Sequence, residues 1–365
     1  MKIEKIRLEK FSVFKDAEFA FSPGINVLIG ANGTGKSHLL KSLYCLLKTA
    51  ERPDFERERA QWELRPREDL LREKLSNVFR PVGAGGVGRL VNRRVGRATA
   101  RLTMTTDAGV AKAELSTLGK VSCGAYDVNP SGRSIFIPSR EVLSVCSSLR
   151  SAYESVNLSF DETYYDLTRE LLRPTLRGRR GEAAERMVAP LQQVIGGSVY
   201  EENGIFYVST GDGEIEAHLL AEGWRKIASV CRLILNGSLF KNSVLFWDEP
   251  EANLNPRLTK PVCELLRRLA AGGVQVFLST HDYLLSSELS LAMEYRKQQA
   301  RELDCEIRFF GLSRSADGGV VPQPGTTLAD LTDNPILAEF ADHYDRENAL
   351  LDKAVAATRK ITAAA

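Results

Sequence analysis

The run Gly30-Ala31-Asn32-Gly33-Thr34-Gly35-Lys36-Ser37 constrains this chain more than any other feature. It fits the spacing G-x-x-x-x-G-K-[ST], and its flanks are those that the spacing requires. Ile25–Ile29 is an unbroken apolar run after Pro23-Gly24, the mark of a strand buried on both faces. Leu39, Leu40, Leu43, Leu46 and Leu47 then recur at helical spacing. The glycines allow successive backbone N–H groups to curl around an anionic phosphate without Cβ obstruction. A helix starting near Lys36 adds the positive end of its dipole. In such a loop Lys36 reaches the β- and γ-phosphates of a nucleotide, and the Ser37 hydroxyl ligates Mg²⁺. His38, next in line, is counted with Gly30–Ser37 among the nucleotide-contacting residues.

A second element lies 212 residues beyond Lys36, where Val244-Leu245-Phe246-Trp247 runs into Asp248-Glu249. An apolar strand that delivers two carboxylates at its C-terminal edge places them where open α/β sheets bind ligands. Asp248 is expected to hold Mg²⁺ together with Ser37, and Glu249 to accept a proton from, or orient, the water that attacks a γ-phosphate.

The rest of the chain fits an α/β fold. From Gly223 onward strands and helices alternate, with strands at Val244–Trp247, Val274–Leu278 and Glu306–Gly311, which predicts a largely parallel sheet covered on both faces. The first strands and the segments Arg97–Thr105 and Ala111–Leu115 alternate as antiparallel strands do. Residues 141–194 read as helical, with Arg173, Arg177, Arg179 and Arg180 clustered, and the chain closes on a helix from Pro335. Residues 52–101 carry thirteen Arg/Lys against seven Asp/Glu, and Arg80–Arg101 holds six arginines and no acid. Such stretches can track a phosphate backbone of DNA or RNA, although no aromatic residues interleave them as a stacking surface needs. Forty-nine Lys+Arg against 47 Asp+Glu give an overall charge of only +2, so no global field points to nucleic acid or membrane. No apolar run reaches the length of a spanning helix, Met1–Glu9 resembles no targeting segment, and six cysteines without CxxC spacing predict a reduced, cytoplasmic protein.

Asp248-Glu249-Pro250-Glu251-Ala252-Asn253-Leu254-Asn255-Pro256 resembles the Walker B strand end and D-loop of ABC-class ATPases, in the style of the RecF, RecN, SMC and OLD-type heads. Ile6-Arg7-Leu8-Glu9-Lys10-Phe11 and Pro23–Gly33 are similar to that group's opening. The resemblance covers residues 1–50 and 215–290 well and the middle poorly. It implies a bilobed head with a P-loop NTPase sheet, an antiparallel β subdomain and a helical insert. Lobe I would span residues 1–140, the insert 141–194, lobe II 195–330 and a helical tail 331–365. It further implies that His281, 33 residues past Asp248 in Ser279-Thr280-His281-Asp282, is the switch histidine at the γ-phosphate. The signature segment falls on Leu220-Ala221-Glu222-Gly223-Trp224-Arg225-Lys226, where Glu222 and Gly223 would meet ATP bound by a second copy. The usual serine is absent, so the contact would come from backbone N–H groups at the helix start. Arg225 and Lys226 either add positive charge there or are solvated helix residues. No Q-loop glutamine stands out; Arg140 or Glu141 is the candidate, with a helix cap at Ser139 as the structural alternative.

Residues 141–194 lack sustained heptads and are interrupted by Pro174, Gly178 and Pro190, so no long coiled-coil arm is expected. The 84 residues after His281 lack a Toprim metal cluster, since Asp304 and Asp317 stand apart. The resemblance thus implies a Mg²⁺-dependent ATPase that forms an ATP-sandwich homodimer. It would regulate a separately encoded effector in anti-phage defence or toxin control. The alternative is a RecF-like DNA-repair ATPase, and a transporter subunit is disfavoured.

Overall fold

The computed structural model describes every residue except Phe55, Ala84, Arg94, Val95, Asn157, Leu158 and Ala365, and for Arg57 and residues 356–364 the backbone only. Arg94 of the basic run therefore lies outside the described residues.

Burial of Ile3, Ile6, Leu8 and Phe11, with an irregularity between Ile3 and Lys5 and a left-handed residue at Lys10, makes β1 (Ile3–Phe11) a one-sided strand, and it pairs with β2 (Phe14–Ala20) as a hairpin. β3 (Ile25–Gly30) is buried at all six positions and feeds the glycine loop, from which α1 (Lys36–Ala50) emerges. Two helices follow in the basic stretch, α2 (Glu56–Leu64) and α3 (Arg67–Phe79). Next come the antiparallel strands β4 (Thr99–Thr106), β5 (Gly109–Ser116) and β6 (Val121–Tyr126), then the short buried strand β7 (Ser134–Ile137). The helical region resolves into α4 (Cys146–Ser155), α5 (Glu162–Leu171) and α6 (Gly178–Ile195). A meander of β8 (Gly197–Glu202), β9 (Ile205–Thr210) and β10 (Gly213–Glu216) leads into α7 (Glu222–Leu235). The alternating part is β11 (Val244–Asp248), α8 (Thr259–Ala271), β12 (Gln275–Thr280), α9 (Tyr283–Glu294) and β13 (Ile307–Arg314). β14 (Val320–Gly325) and α10 (Pro335–Ala364) complete the chain.

The main sheet has the order β14-β13-β3-β12-β11-β7, parallel throughout except at the β14 edge. Because side chains alternate along each strand, the sheet feeds two cores. Phe136, Phe246, Phe277 and Phe310 face α1 and the five-stranded antiparallel sheet β2-β1-β4-β5-β6. Ile135, Leu245, Val276 and Leu278 face the layer containing α6, α7, α8 and α9. Edge-to-face packing joins Phe21 to Phe277 at 4.9 Å and Phe19 to Phe310 at 5.6 Å between ring centroids. Each such pair is worth about 0.5–1.5 kcal/mol beyond area burial. The expected largely parallel sheet and antiparallel subdomain are both present.

Several elements differ from the sequence reading. α2 and α3 form where the sequence reads only as a basic stretch: dense charge masks the period by which α3 buries Leu71, Leu75 and Val78, and α2 buries none of its described residues. β14 contains Pro322 and Pro324, which an edge strand tolerates and a central one does not. The helical region begins with α4 at Cys146 rather than at Glu141; a 3₁₀ turn at Leu143–Val145 intervenes. α10 is anchored by buried Ile336 and by Phe340, whose ring lies tilted against Tyr283 at 4.5 Å between centroids. From Ala338 to Val355 it is exposed at every residue but Asn348. No described helix is long and apolar enough to cross a membrane.

Candidate nucleotide site

The loop Gly30–Ser37 occupies the turn from β3 to α1 at the C-terminal edge of the parallel strands. Gly35 caps α1 at φ 89°, and a Cβ there would lie 2.5 Å from Val13 Cγ2 and 2.9 Å from Phe14 Cζ. The tip of the β1–β2 hairpin thus braces the loop, and only glycine fits. Thr34 Oγ1 closes the turn on Ala31 O at 2.8 Å. Lys36 is buried and folds back, its Nζ donating to Gly30 O at 2.6 Å and Ala31 O at 3.2 Å. Burial pushes its pKa down, opposed by the nearby carboxylates of Glu249, Asp248 and Glu251. Ala31, Asn32 and Gly33 are exposed at the loop's rim, where Arg314, at the end of β13, donates to Gly33 O at 3.2 Å.

The two sequence elements converge. Ser37 Oγ donates to Asp248 Oδ1 at 3.0 Å although the residues are 211 positions apart. Ser279 Oγ donates to the same carboxylate oxygen, because β11 and β12 pair Asp248 with Ser279. A hydroxyl and a carboxylate held together form an oxygen donor set suited to a hard cation such as Mg²⁺. Glu249 takes a left-handed conformation at φ 50°, its N–H bonded to Ser279 O at 3.0 Å. That turn brings Glu249 Oε1 to 3.6 Å from His281 Nδ1. Glu251 organises the same corner: its Oε1 accepts from Thr280 Oγ1 at 2.8 Å and from the His281 N–H at 3.1 Å. Burial pushes the Glu251 carboxyl pKa up.

Sequence reasoning missed Ser279, Glu251 and Arg314 as site-shaping residues. Ser279 and Glu251 lay inside quoted motifs, but only the strand register shows what they touch. His38 turns out to be bonded through Nδ1 to the Ser12 hydroxyl, with its ring edge-on to Phe79.

Glu222 and Gly223 open α7, whose N-cap, Ala221, offers no side-chain cap. A Cβ at Gly223 would stand 3.0 Å from Asn253 O, so the start of α7 abuts the loop after Asp248 within the same chain. The reading of Arg225 and Lys226 as solvated helix residues is corrected. Lys226 is buried and its Nζ donates to Ala252 O at 2.6 Å. Arg225 pairs with Glu141 at 3.0 Å and donates to Leu220 O and His218 O. Neither is a solvated helix residue. Glu141 also accepts from the backbone N–H of Ser144, and the turn that follows is capped by Val142, not by Ser139.

Part of the basic excess is consumed internally. Arg52, Arg65, Arg72 and Arg101 pair with Glu63, Glu73, Asp69 and Glu114, and Arg173 pairs with Asp54 at 2.6 Å. Arg177, Arg179 and Arg180 are exposed at the start of α6. Asp304 and Asp317 form separate ion pairs with Arg296 and Lys15.

Comparison with known proteins follows the same lines. Residues 125–287 match the family model "AAA domain, putative AbiEii toxin, Type IV TA system", and residues 1–81 match "AAA ATPase domain". The DNA replication and repair protein RecF of Cytophaga hutchinsonii is 51% identical over 49 residues, 13% of each chain. RecF of Ligilactobacillus salivarius is 50% identical over 46 residues, 13% of this chain and 12% of that one. The match therefore spans only about an eighth of these relatives. The cell division ATP-binding protein FtsE of Mycobacterium tuberculosis is 25% identical over 194 residues, 51% of this chain and 74% of FtsE. Among solved structures, an SMC head bound to the C-terminal winged-helix domain of ScpA superposes with a TM-score of 0.54 at 14% identity, covering 90% of this chain and 98% of that one. The SMC head domain of Thermotoga maritima gives 0.50 at 13% identity, covering 89% and 99%. At such identities the SMC likeness is one of fold. Its motifs, its family matches and its fold are all similar to those of ABC-class P-loop ATPase heads of the RecF/SMC type.

Proposed function

We propose that this chain binds ATP with Mg²⁺, dimerises around it and hydrolyses it, and that the cycle regulates a separately encoded effector in anti-phage defence or toxin control. The observation that carries the ATPase reading is the meeting of Ser37 with Asp248 beside Glu249 and His281. Residues 30–38 would cradle the phosphates, with Lys36 released from its loop carbonyls onto the β- and γ-oxygens. Ser37 and Asp248 would hold Mg²⁺, which neutralises developing phosphate charge. Glu249 would orient and deprotonate the attacking water, and His281, aligned through Glu251, would sense the γ-phosphate. On this reading residues 1–140 and 195–330 are the two lobes, 141–194 the insert and 331–365 the tail.

In the dimer each loop would face the Glu222-Gly223 start of α7 in the second copy, whose uncapped N–H groups suit an anionic γ-phosphate. The γ-phosphate then supplies the differential contact that favours the closed state. The AbiEii-type family match supports the effector reading. The short but close RecF matches favour a second reading, a DNA-repair ATPase loaded on DNA by ATP.

Glu249→Gln should accumulate an ATP-bound dimer in light scattering; a monomer at saturating ATP and Mg²⁺ refutes the sandwich. Stimulation of hydrolysis by duplex DNA would favour the repair reading, and co-purification with the product of an adjacent gene the effector reading.

A further inference from the structure

We infer that α5 is a strut that fastens the helix leaving the phosphate loop, α1, to the helix that begins at Glu222, α7, so that the two nucleotide-facing ends of one chain move together. Glu170 is its central positioning residue. The inference rests on the ATP-sandwich reading above, in which α1 serves one nucleotide and α7 the other.

Three rungs join α1 to α5. Lys41 Nζ donates to Asp161 Oδ2 at 2.7 Å, Tyr44 OH to Asp166 Oδ2 at 2.5 Å, and Lys48 Nζ lies 3.9 Å from Glu170 Oε1. Positions 41, 44 and 48 share one face of α1, and 166 and 170 share one face of α5, whose N-cap is Asp161. Lys74 of α3 reinforces the middle rung, 3.0 Å from both Asp166 and Glu162.

The opposite end of α5 is tied to α7. The buried Arg232 guanidinium donates to Leu171 O at 3.0 Å and Arg173 O at 2.8 Å, capping the carbonyls where α5 ends. Asn236, the C-cap of α7, donates to Glu170 O at 2.7 Å, and Ser238 Oγ donates to Glu170 Oε2 at 2.8 Å. Arg133, just ahead of β7, adds a contact to Glu170 Oε1 at 3.1 Å. One buried residue therefore touches the far end of α1 and the approach to β7 through its carboxylate, and the C-cap of α7 through its backbone carbonyl.

Glu170, Asp166 and Arg232 are each at most 9% exposed. Displacing one partner strands a buried charge, so these contacts resist gradual loosening and carry a rigid-body tilt instead. A tilt of α1 on filling one site is passed to α7, which presents Glu222 and Gly223 to the other site. The consequence is positive cooperativity between the two nucleotides of a dimer.

The test compares wild type, Tyr44→Phe and Glu170→Gln by the Hill coefficient of steady-state ATP hydrolysis, alongside ATP affinity measured on dilute monomer. The expected result is a coefficient near 2, the number of sites, in wild type and about 1 in both variants, with monomer affinity changed less than about twofold. A non-cooperative wild type overturns the strut, as do variants that keep full cooperativity. A loss of cooperativity matched by an equal loss of monomer affinity also overturns it, since that marks local damage to α1. Should Glu170→Gln fail to fold, Tyr44→Phe, which removes one hydroxyl, carries the comparison. A wild type that dimerises and hydrolyses ATP without cooperativity refutes the strut alone, whereas one that ignores ATP refutes the sandwich reading and the strut together.

Discussion

Asp248 Oδ1 accepts hydrogen bonds from both Ser37 and Ser279, so a single carboxylate oxygen joins the phosphate loop to two neighbouring strands. Ser37 is the partner expected at the cation, whereas Ser279 orients the carboxylate from behind. Losing an outer partner of this kind typically costs about 10–100-fold in metal affinity. Ser279→Ala is therefore expected to raise the Mg²⁺ concentration for half-maximal hydrolysis by about tenfold or more, with nucleotide binding in EDTA little changed. A Mg²⁺ titration of ATPase activity decides it.

Lys36 is the cation placed for the β- and γ-phosphates. Charged hydrogen bonds are worth about 1.5–3 kcal/mol, so Lys36→Ala should weaken ATP binding roughly ten- to hundredfold. Calorimetry showing unchanged affinity would remove the site from Gly30–Ser37.

Glu251 gives a pH signature. Its folded pKa is raised by burial, so between the ordinary value of 4.5 and the raised one the folded chain binds more protons than the unfolded chain. This group's contribution is then fully present below 4.5 and declines as pH rises through that window. Glu251→Gln keeps an oxygen for Thr280 and for the His281 N–H but cannot ionise. Relative to wild type, the variant should gain thermal stability as pH is raised from 4.5 toward neutrality, and a pH-independent difference in melting temperature would contradict the assignment.

Gly35→Ala tests the bracing of the loop by the hairpin tip. Left-handed backbone costs a non-glycine residue about 1–2 kcal/mol, and the crowding by Val13 and Phe14 adds to it. The urea midpoint should fall and ATP affinity with it; a variant of wild-type stability would mean that the hairpin yields freely.

The loop and the acid pair were legible in the sequence because each is contiguous and carries its own flanking strand. The parallel sheet was legible because its strands are buried on both faces and run as unbroken apolar segments. The remainder depends on register. Nothing in Leu278-Ser279-Thr280 says that Ser279 will stand opposite Asp248, since that follows from how β11 and β12 align. The fates of Arg225 and Lys226 were hidden for a related reason: an amphipathic helix start shows its charges, but not that Glu141 and Ala252 O arrive from distant loops to take them. α2 and α3 were masked by alternating charges whose partners lie within the helices and on α5.

α10 leaves the body beside the residues that follow His281, gripped there by Phe340 on Tyr283. Some 24 residues of helix extend beyond that grip, about 36 Å at 1.5 Å per residue. A swing of roughly 10° at the root would carry the far end about 6 Å. Geometry of this sort is that of a lever: an adjustment too small to notice beside the histidine is magnified several-fold at the far end.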